Sequence, residues 1–139
     1  TAPAVSKIAI GEPKVVPAGA YAKETLAHLH LWDTLQKAGT LVTAENVAQV
    51  LAFVERGEVD AGIVYSTDAR AGTNIRVVAT ADEKLHAPIQ YVSAIIAATV
   101  HGKAARAAQQ ALLTAPLQKL FADAGFSAPA APAPQTTPR

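Results

Sequence analysis

The sequence predicts an α/β protein built on an open, largely parallel β-sheet flanked by helices. Three observations carry that expectation. Short β-branched runs alternate along the chain with segments whose apolar residues recur at helical spacing. The helical segments open on proline or on side chains that cap helices, and several stop at glycine. Finally, 139 residues are enough for a domain that buries a core without disulfide staples. Strand and helix in alternation imply crossover connections, and crossovers make neighbouring strands parallel.

Lys7–Gly11 (KIAIG) is the first strand, stopped by Gly11 and Pro13. Pro17 opens a helix over Ala18 to about Leu31, because proline in the first turn sacrifices an N–H that has no partner there. Ala22, Leu26 and Leu29 give this helix its apolar stripe. Leu31, Trp32 and Leu35 begin a second short helix ended by Gly39, and Leu41-Val42 is a minimal strand. Thr43 to Asn46 carry capping chemistry for the clearest helix, where Val47, Val50, Leu51 and Val54 fall at i, i+3, i+4 and i+7. Gly57 stands just past its end. Gly62–Tyr65, Ile75–Ala79 and Ile89–Ala97 read as strands, the first closed by Tyr65. Lys103–Leu113 and Leu117–Ala124 read as helices. Four of the prolines (Pro129, Pro132, Pro134, Pro138) crowd the end, so residues 127–139 are expected to be a disordered tail.

Composition removes whole classes of function. With no cysteine, the chain has no disulfide, iron–sulfur cluster or thiol nucleophile. A net charge of +1 argues against a nucleic-acid or anionic-membrane surface. No apolar run reaches the ~18 residues of a membrane span. Without any methionine and starting at Thr1, the sequence reads as a mature form or a piece of a longer chain. There is no phosphate-binding loop, dinucleotide fingerprint or nucleophile elbow. His28 and His30 are two apart and cannot share a helix face, so neither a metal nor a catalytic site is expected. His86 and His101 fall in expected loops and read as solvated.

Chemistry is better placed where helices begin. In Val16-Pro17-Ala18-Gly19 the small side chains leave the backbone N–H groups of Ala18 and Gly19 open, and Glu45-Asn46-Val47 does the same at the next helix. Aligned N–H dipoles at such starts favour anions without any formal positive charge. Tyr65 lies at the carboxyl end of its strand, the edge where open α/β sheets bind ligands. Every α/β protein has capped helix starts and strand-end aromatics, so these residues can equally be ordinary structure.

The blocks GEPKVVPAGAYAKETL, LWDTL and TAENVAQVLAFVERGEVDAGIVYSTDA, with LQKLFADAGF near the end, resemble the second half of bacterial periplasmic molybdate-binding proteins, the solute-binding components of molybdate ABC transporters. The likeness runs from about Lys7 to Phe126. It implies one lobe of a type II periplasmic-binding-protein fold, with residues 1–88 as the second-lobe domain and residues 89–126 returning towards the first lobe. It also implies a ligand, molybdate or tungstate, held by the backbone N–H of Ala18 and Val47 and the hydroxyl of Tyr65, with no metal ion or cofactor. The implied partners are a small oxyanion and a membrane permease, in the periplasm. The family's first lobe, with its two serine ligands, has no counterpart before Lys7. The chain is therefore expected to form a homodimer or to dock on a separate first-lobe chain. Other readings remain open: a ligand-free interaction or regulatory module of the same fold, or a receptor for another anion such as sulfate.

Overall fold

A computed structural model describes residues 5–128 of the chain. The chain divides into two compact units, with the break between Gln90 and Tyr91.

In the first unit, β1 (Ile8–Gly11) is the central strand of a three-stranded sheet ordered β2–β1–β3. β2 (Leu41–Ala44) and β3 (Ala61–Gly62) both run parallel to it. Ile8 faces Leu41 and Gly11 faces Ala44, while on the other side Ala9 faces Gly62. The ladder continues a little past the strands, through Glu12 N–H to Ala44 O (2.8 Å) and Ile63 N–H to Ala9 O (3.0 Å). At the opposite edge Asp60 pins the start of β1. Its Oδ2 accepts from the Ser6 N–H, the Ser6 hydroxyl and the Lys7 N–H, each at 2.8 Å. Those bonds favour the carboxylate and lower its pKa, the Lys7 N–H most.

Each strand feeds a helix. α1 (Pro17–His28) follows β1, with Pro17 in its first turn and Ala22 and Leu26 buried. α2 (Trp32–Lys37) is a short helix before β2. α3 (Val47–Glu55) follows β2, and α4 (Ser66–Ala71) follows β3. Gly57 (φ +68°) supplies the left-handed residue that turns the chain out of α3. Val50 of α3 and Ile10 of β1 are the largest side chains wholly withdrawn from water. Burial of each is worth about 1.5–3 kcal/mol. Ala9, Ala44, Val50 and Val59 form the core cluster, with Val42, Phe53, Val54 and Val64 packed around it. After α4, the Thr73 N–H (2.6 Å) and hydroxyl (3.3 Å) both donate to Glu55 Oε1 on α3.

Among its described residues the second unit has two helices, α5 (Gly102–Ala111) and α6 (Ala115–Ala124). Gly125, at φ +99°, ends α6 in the left-handed conformation, and the Phe126 N–H bonds back to Phe121 O (3.0 Å). Phe126 stacks edge-on against both Tyr91 (5.4 Å) and Phe121 (5.8 Å). Gln109 Nε2 donates to Ser93 O at 3.1 Å and to Ser93 Oγ at 3.0 Å.

Three expected strands need correction. Ile75–Ala79 and Ile89–Ala97 form no strand; Val77, Val78 and Val92 are 63%, 76% and 89% exposed. A strand exists through its ladder, and among the described residues these runs have no partner, however strong their β-branched character. Gly62–Tyr65 is strand only at Gly62; Tyr65 instead stands at the N-cap of α4, an element the sequence reading did not foresee. The helix expected to reach Leu31 stops at His28, with Leu29 exposed. The expected tail lies outside the described residues from 129 onward.

Candidate functional site

Parallel pairing places the ends of all three strands at one edge of the sheet. The segments leaving that edge are the ones that carry Ala18, Val47 and Tyr65.

β1 turns sharply into α1. The N–H groups of Val15 (3.0 Å) and Val16 (2.8 Å) both donate to Glu12 O, and those of Gly19 (2.9 Å) and Ala20 (3.1 Å) to Val16 O. Pro17 has no N–H. Ala18 is thus left as the first donor of the helix, and among the described residues it has no acceptor, whereas the Gly19 N–H, expected to be open as well, is taken up by the turn through Val16 O. The residue is only 5% exposed, and a buried backbone N–H without a partner is uncommon enough to need a reason. Gly11 and Gly19 explain how the helix start comes so close. A Cβ on Gly19 would overlap the Gly11 carbonyl, and one on Gly11 would meet Val16 Cγ1 at 2.6 Å. Two adjoining glycines let the turn lie directly on the strand end.

At α3 the capping is reciprocal. Asn46 Oδ1 accepts from the Gln49 N–H (2.9 Å), and Gln49 Oε1 accepts from the Glu45 N–H (2.8 Å). Asn46 O takes the Val50 N–H at 3.3 Å. The N–H groups of Val47 and Ala48 are left without an acceptor among the described residues. Here too a helix presents free donors at the carboxyl edge of the sheet.

Tyr65 is half-buried in extended conformation (φ −69°, ψ 153°), and its carbonyl takes the Ala69 N–H at 3.0 Å. Its ring meets the ring of Tyr21 on α1 edge-to-face, centroids 6.5 Å apart. Tyr21 in turn meets the ring of His86 at 5.8 Å. His86 follows a single 3₁₀ turn at Glu83–Leu85 and is half-buried, a correction to its reading as a solvated loop residue. Its Nδ1 lies 2.8 Å from Ala87 O; since a carbonyl can only accept, Nδ1 carries the proton. The Ala87 N–H donates to Glu24 Oε2 at 2.7 Å, tying this loop to α1. Sequence reasoning missed Tyr21 and His86, because no local spacing joins them to Tyr65.

Two lysines have partners elsewhere. Lys23 Nζ sits 5.4 Å from the centroid of the Trp32 ring, and Lys7 Nζ donates to Gly39 O at 2.8 Å. Among the described residues no cluster of three or more histidine, aspartate or glutamate side chains could hold a metal ion. His28 Nδ1 lies 3.0 Å from Glu24 O within its own helix, while His30 takes a left-handed turn at φ 58°.

The comparisons with known proteins agree on one family. Its model, described as bacterial extracellular solute-binding protein, matches residues 1–127. YvgL of Bacillus subtilis (strain 168), a lipoprotein assigned as an ABC transporter substrate-binding protein, is 43% identical over 122 residues, 88% of this chain and 46% of that one. The molybdate-binding protein ModA of Escherichia coli (strain K12) is 47% identical over 90 residues, 65% of this chain and 34% of ModA. Among solved structures, the substrate-binding domain assigned to a molybdenum ABC transporter of Clostridium difficile superposes with a TM-score of 0.76 at 43% identity. That match covers 87% of this chain and 52% of the other. The chain spans a third to a half of the length of these relatives. From the parallel sheet with its helix-opening edge and the match across residues 1–127, the chain belongs to the bacterial extracellular solute-binding protein family.

Proposed function

We propose that this chain is one lobe of an ABC-transporter solute-binding protein and that it grips a tetrahedral oxyanion, molybdate or tungstate. The donors are neutral: the backbone N–H of Ala18, the backbone N–H of Val47 and the hydroxyl of Tyr65. The observation that carries this reading is the pair of unpartnered helix-start donors at one edge of the sheet, one of them on a buried residue. Such donors stabilise a dianion through oriented dipoles and do not have to give up a counter-charge when the ligand leaves. The molybdate and molybdenum named for the relatives support the choice of anion. The protein acts by binding and not by catalysis, and no cofactor takes part.

On this reading the chain works outside the cytoplasmic membrane, in the periplasm or its equivalent, and delivers its anion to a membrane permease. Residues 1–88 form the ligand-gripping domain, and residues 89–126 serve the junction with a first lobe. That lobe is another part of the same protein, a separate chain or a second copy in a homodimer. The exposed Tyr91, Val92, Ile96 and Val100 favour an apolar partner surface for the second unit. Calorimetric titration with molybdate, tungstate, sulfate and phosphate tests the anion site. Molybdate and tungstate should bind with sulfate and phosphate weaker, and failure of all four to bind would overturn the reading. Light scattering tests the association: a species of 14.3 kDa alone in solution would rule out the homodimer.

A further inference from the structure

We propose that Tyr21 is a positioning residue for Tyr65, and that His86 and the Glu24–Ala87 bond hold Tyr21 in place. The proposal rests on the oxyanion reading of Ala18, Val47 and Tyr65 and extends it to a set of residues outside the anion's reach. A tyrosine hydroxyl is a useful donor only if its two side-chain torsions are already restricted, since freezing them on binding costs affinity. Tyr65 stands at the residue before the six-residue helix α4. Tyr21 restrains its ring from the side of α1. Its ring meets Tyr65 edge-to-face at 6.5 Å with the planes at 61°, an arrangement favoured by the ring quadrupoles.

Tyr21 is itself held from the other side. The His86 ring meets it at 5.8 Å, again at 61°. His86 is fixed by its Nδ1–H bond to Ala87 O, and Ala87 is strapped to Glu24 Oε2 through its N–H at 2.7 Å. Ala18, Tyr21 and Glu24 follow one another at three-residue steps along α1, so one rigid helix carries an anion donor, the positioning ring and the anchor of the strap. The α1 start and the Tyr65 ring thereby keep a set separation, which an oxyanion of one size requires. The chain positions involved, 21, 65 and 86, come together only in the folded domain.

The test has two readouts. The first needs no ligand: selectively 13C-labelled tyrosine NMR follows the Tyr65 ring resonances in the full chain. Tyr21→Leu should move them towards averaged, unshifted values, whereas Tyr21→Phe, which keeps the ring, should leave them near those of the unaltered protein. The second is calorimetric titration with molybdate. Tyr21→Leu should weaken binding by about fivefold, Tyr21→Phe should restore it, and Tyr21→Leu should cost nothing further in a Tyr65→Phe background. His86→Ala should shift the Tyr65 resonances in the same direction by less, and it decides the matter if Tyr21→Leu does not fold. Unchanged Tyr65 resonances in Tyr21→Leu and His86→Ala would overturn the proposal, as would equal losses in Tyr21→Leu and Tyr21→Phe or full additivity with Tyr65→Phe. Failure of the unaltered chain to bind molybdate would overturn the oxyanion reading, while the ring resonances still decide the positioning.

Discussion

Replacing Gly19 by alanine sets two known effects against each other. Gly19 is the third residue of α1, and by helix propensity alone the change should stabilise by about 1 kcal/mol. The added methyl, however, has nowhere to go. It would overlap the carbonyl oxygen and carbon of Gly11 and stand 3.1 Å from the Glu12 carbonyl carbon. These are backbone atoms of the central strand and its exit turn, so relief requires α1 to lift from β1. Overpacking of that kind costs about 1–3 kcal/mol where side chains can give way, and more where the obstacle is backbone. We expect a net loss of about 2 kcal/mol, read as a fall in melting temperature of roughly 8–16 °C for a domain of this size. Molybdate affinity should fall with it, because lifting α1 displaces the Ala18 N–H from the sheet edge. Thermal unfolding by circular dichroism and calorimetric titration measure the two effects. Gly102→Ala is the control: it stands at the first residue of α5 with only Arg106 Nη2, at 3.4 Å, near the added methyl. A Gly19→Ala protein as stable as the unaltered one would refute the close-approach argument.

Tyr65→Phe should weaken molybdate binding about tenfold, since it removes one hydrogen bond to a charged ligand; unchanged affinity in the titration would remove Tyr65 from the site. Asn46→Ala loses the cap bond to the Gln49 N–H and should cost about 1 kcal/mol in denaturant unfolding, with Asn46→Asp keeping most of it. Val50→Ala empties part of the core and should cost about 2–3 kcal/mol by the same measurement. Asp60 has its pKa lowered in the fold, so its contribution is present above the unfolded carboxylate value and is lost as pH falls through the folded one. Acid titration of stability should therefore show a component at low pH that Asp60→Asn abolishes.

The strands and helices that depend on neighbours a few residues away were legible in the sequence. α3 follows from Asn46 and the spacing of Val47, Val50, Leu51 and Val54, and α1 from Pro17 with Ala22 and Leu26 on one side, because capping and helical periodicity are local. The helix openings that bear Ala18 and Val47 could likewise be named from the chain, but Tyr65, expected to close a strand, stands at the N-cap of α4. The common edge of the three could not be named, since it depends on the order β2–β1–β3 and on the registers Gly11–Ala44 and Ala9–Gly62. Ile75–Ala79 shows the reverse: its β-branched residues are local and its missing ladder is not. The Tyr21–Tyr65–His86 array and the Gly11–Gly19 contact also belong to tertiary structure. Periodicity records which face of an element is apolar, whereas strand partners, ring contacts and backbone approach are set by residues far apart in the chain, whose meeting only the packed fold decides.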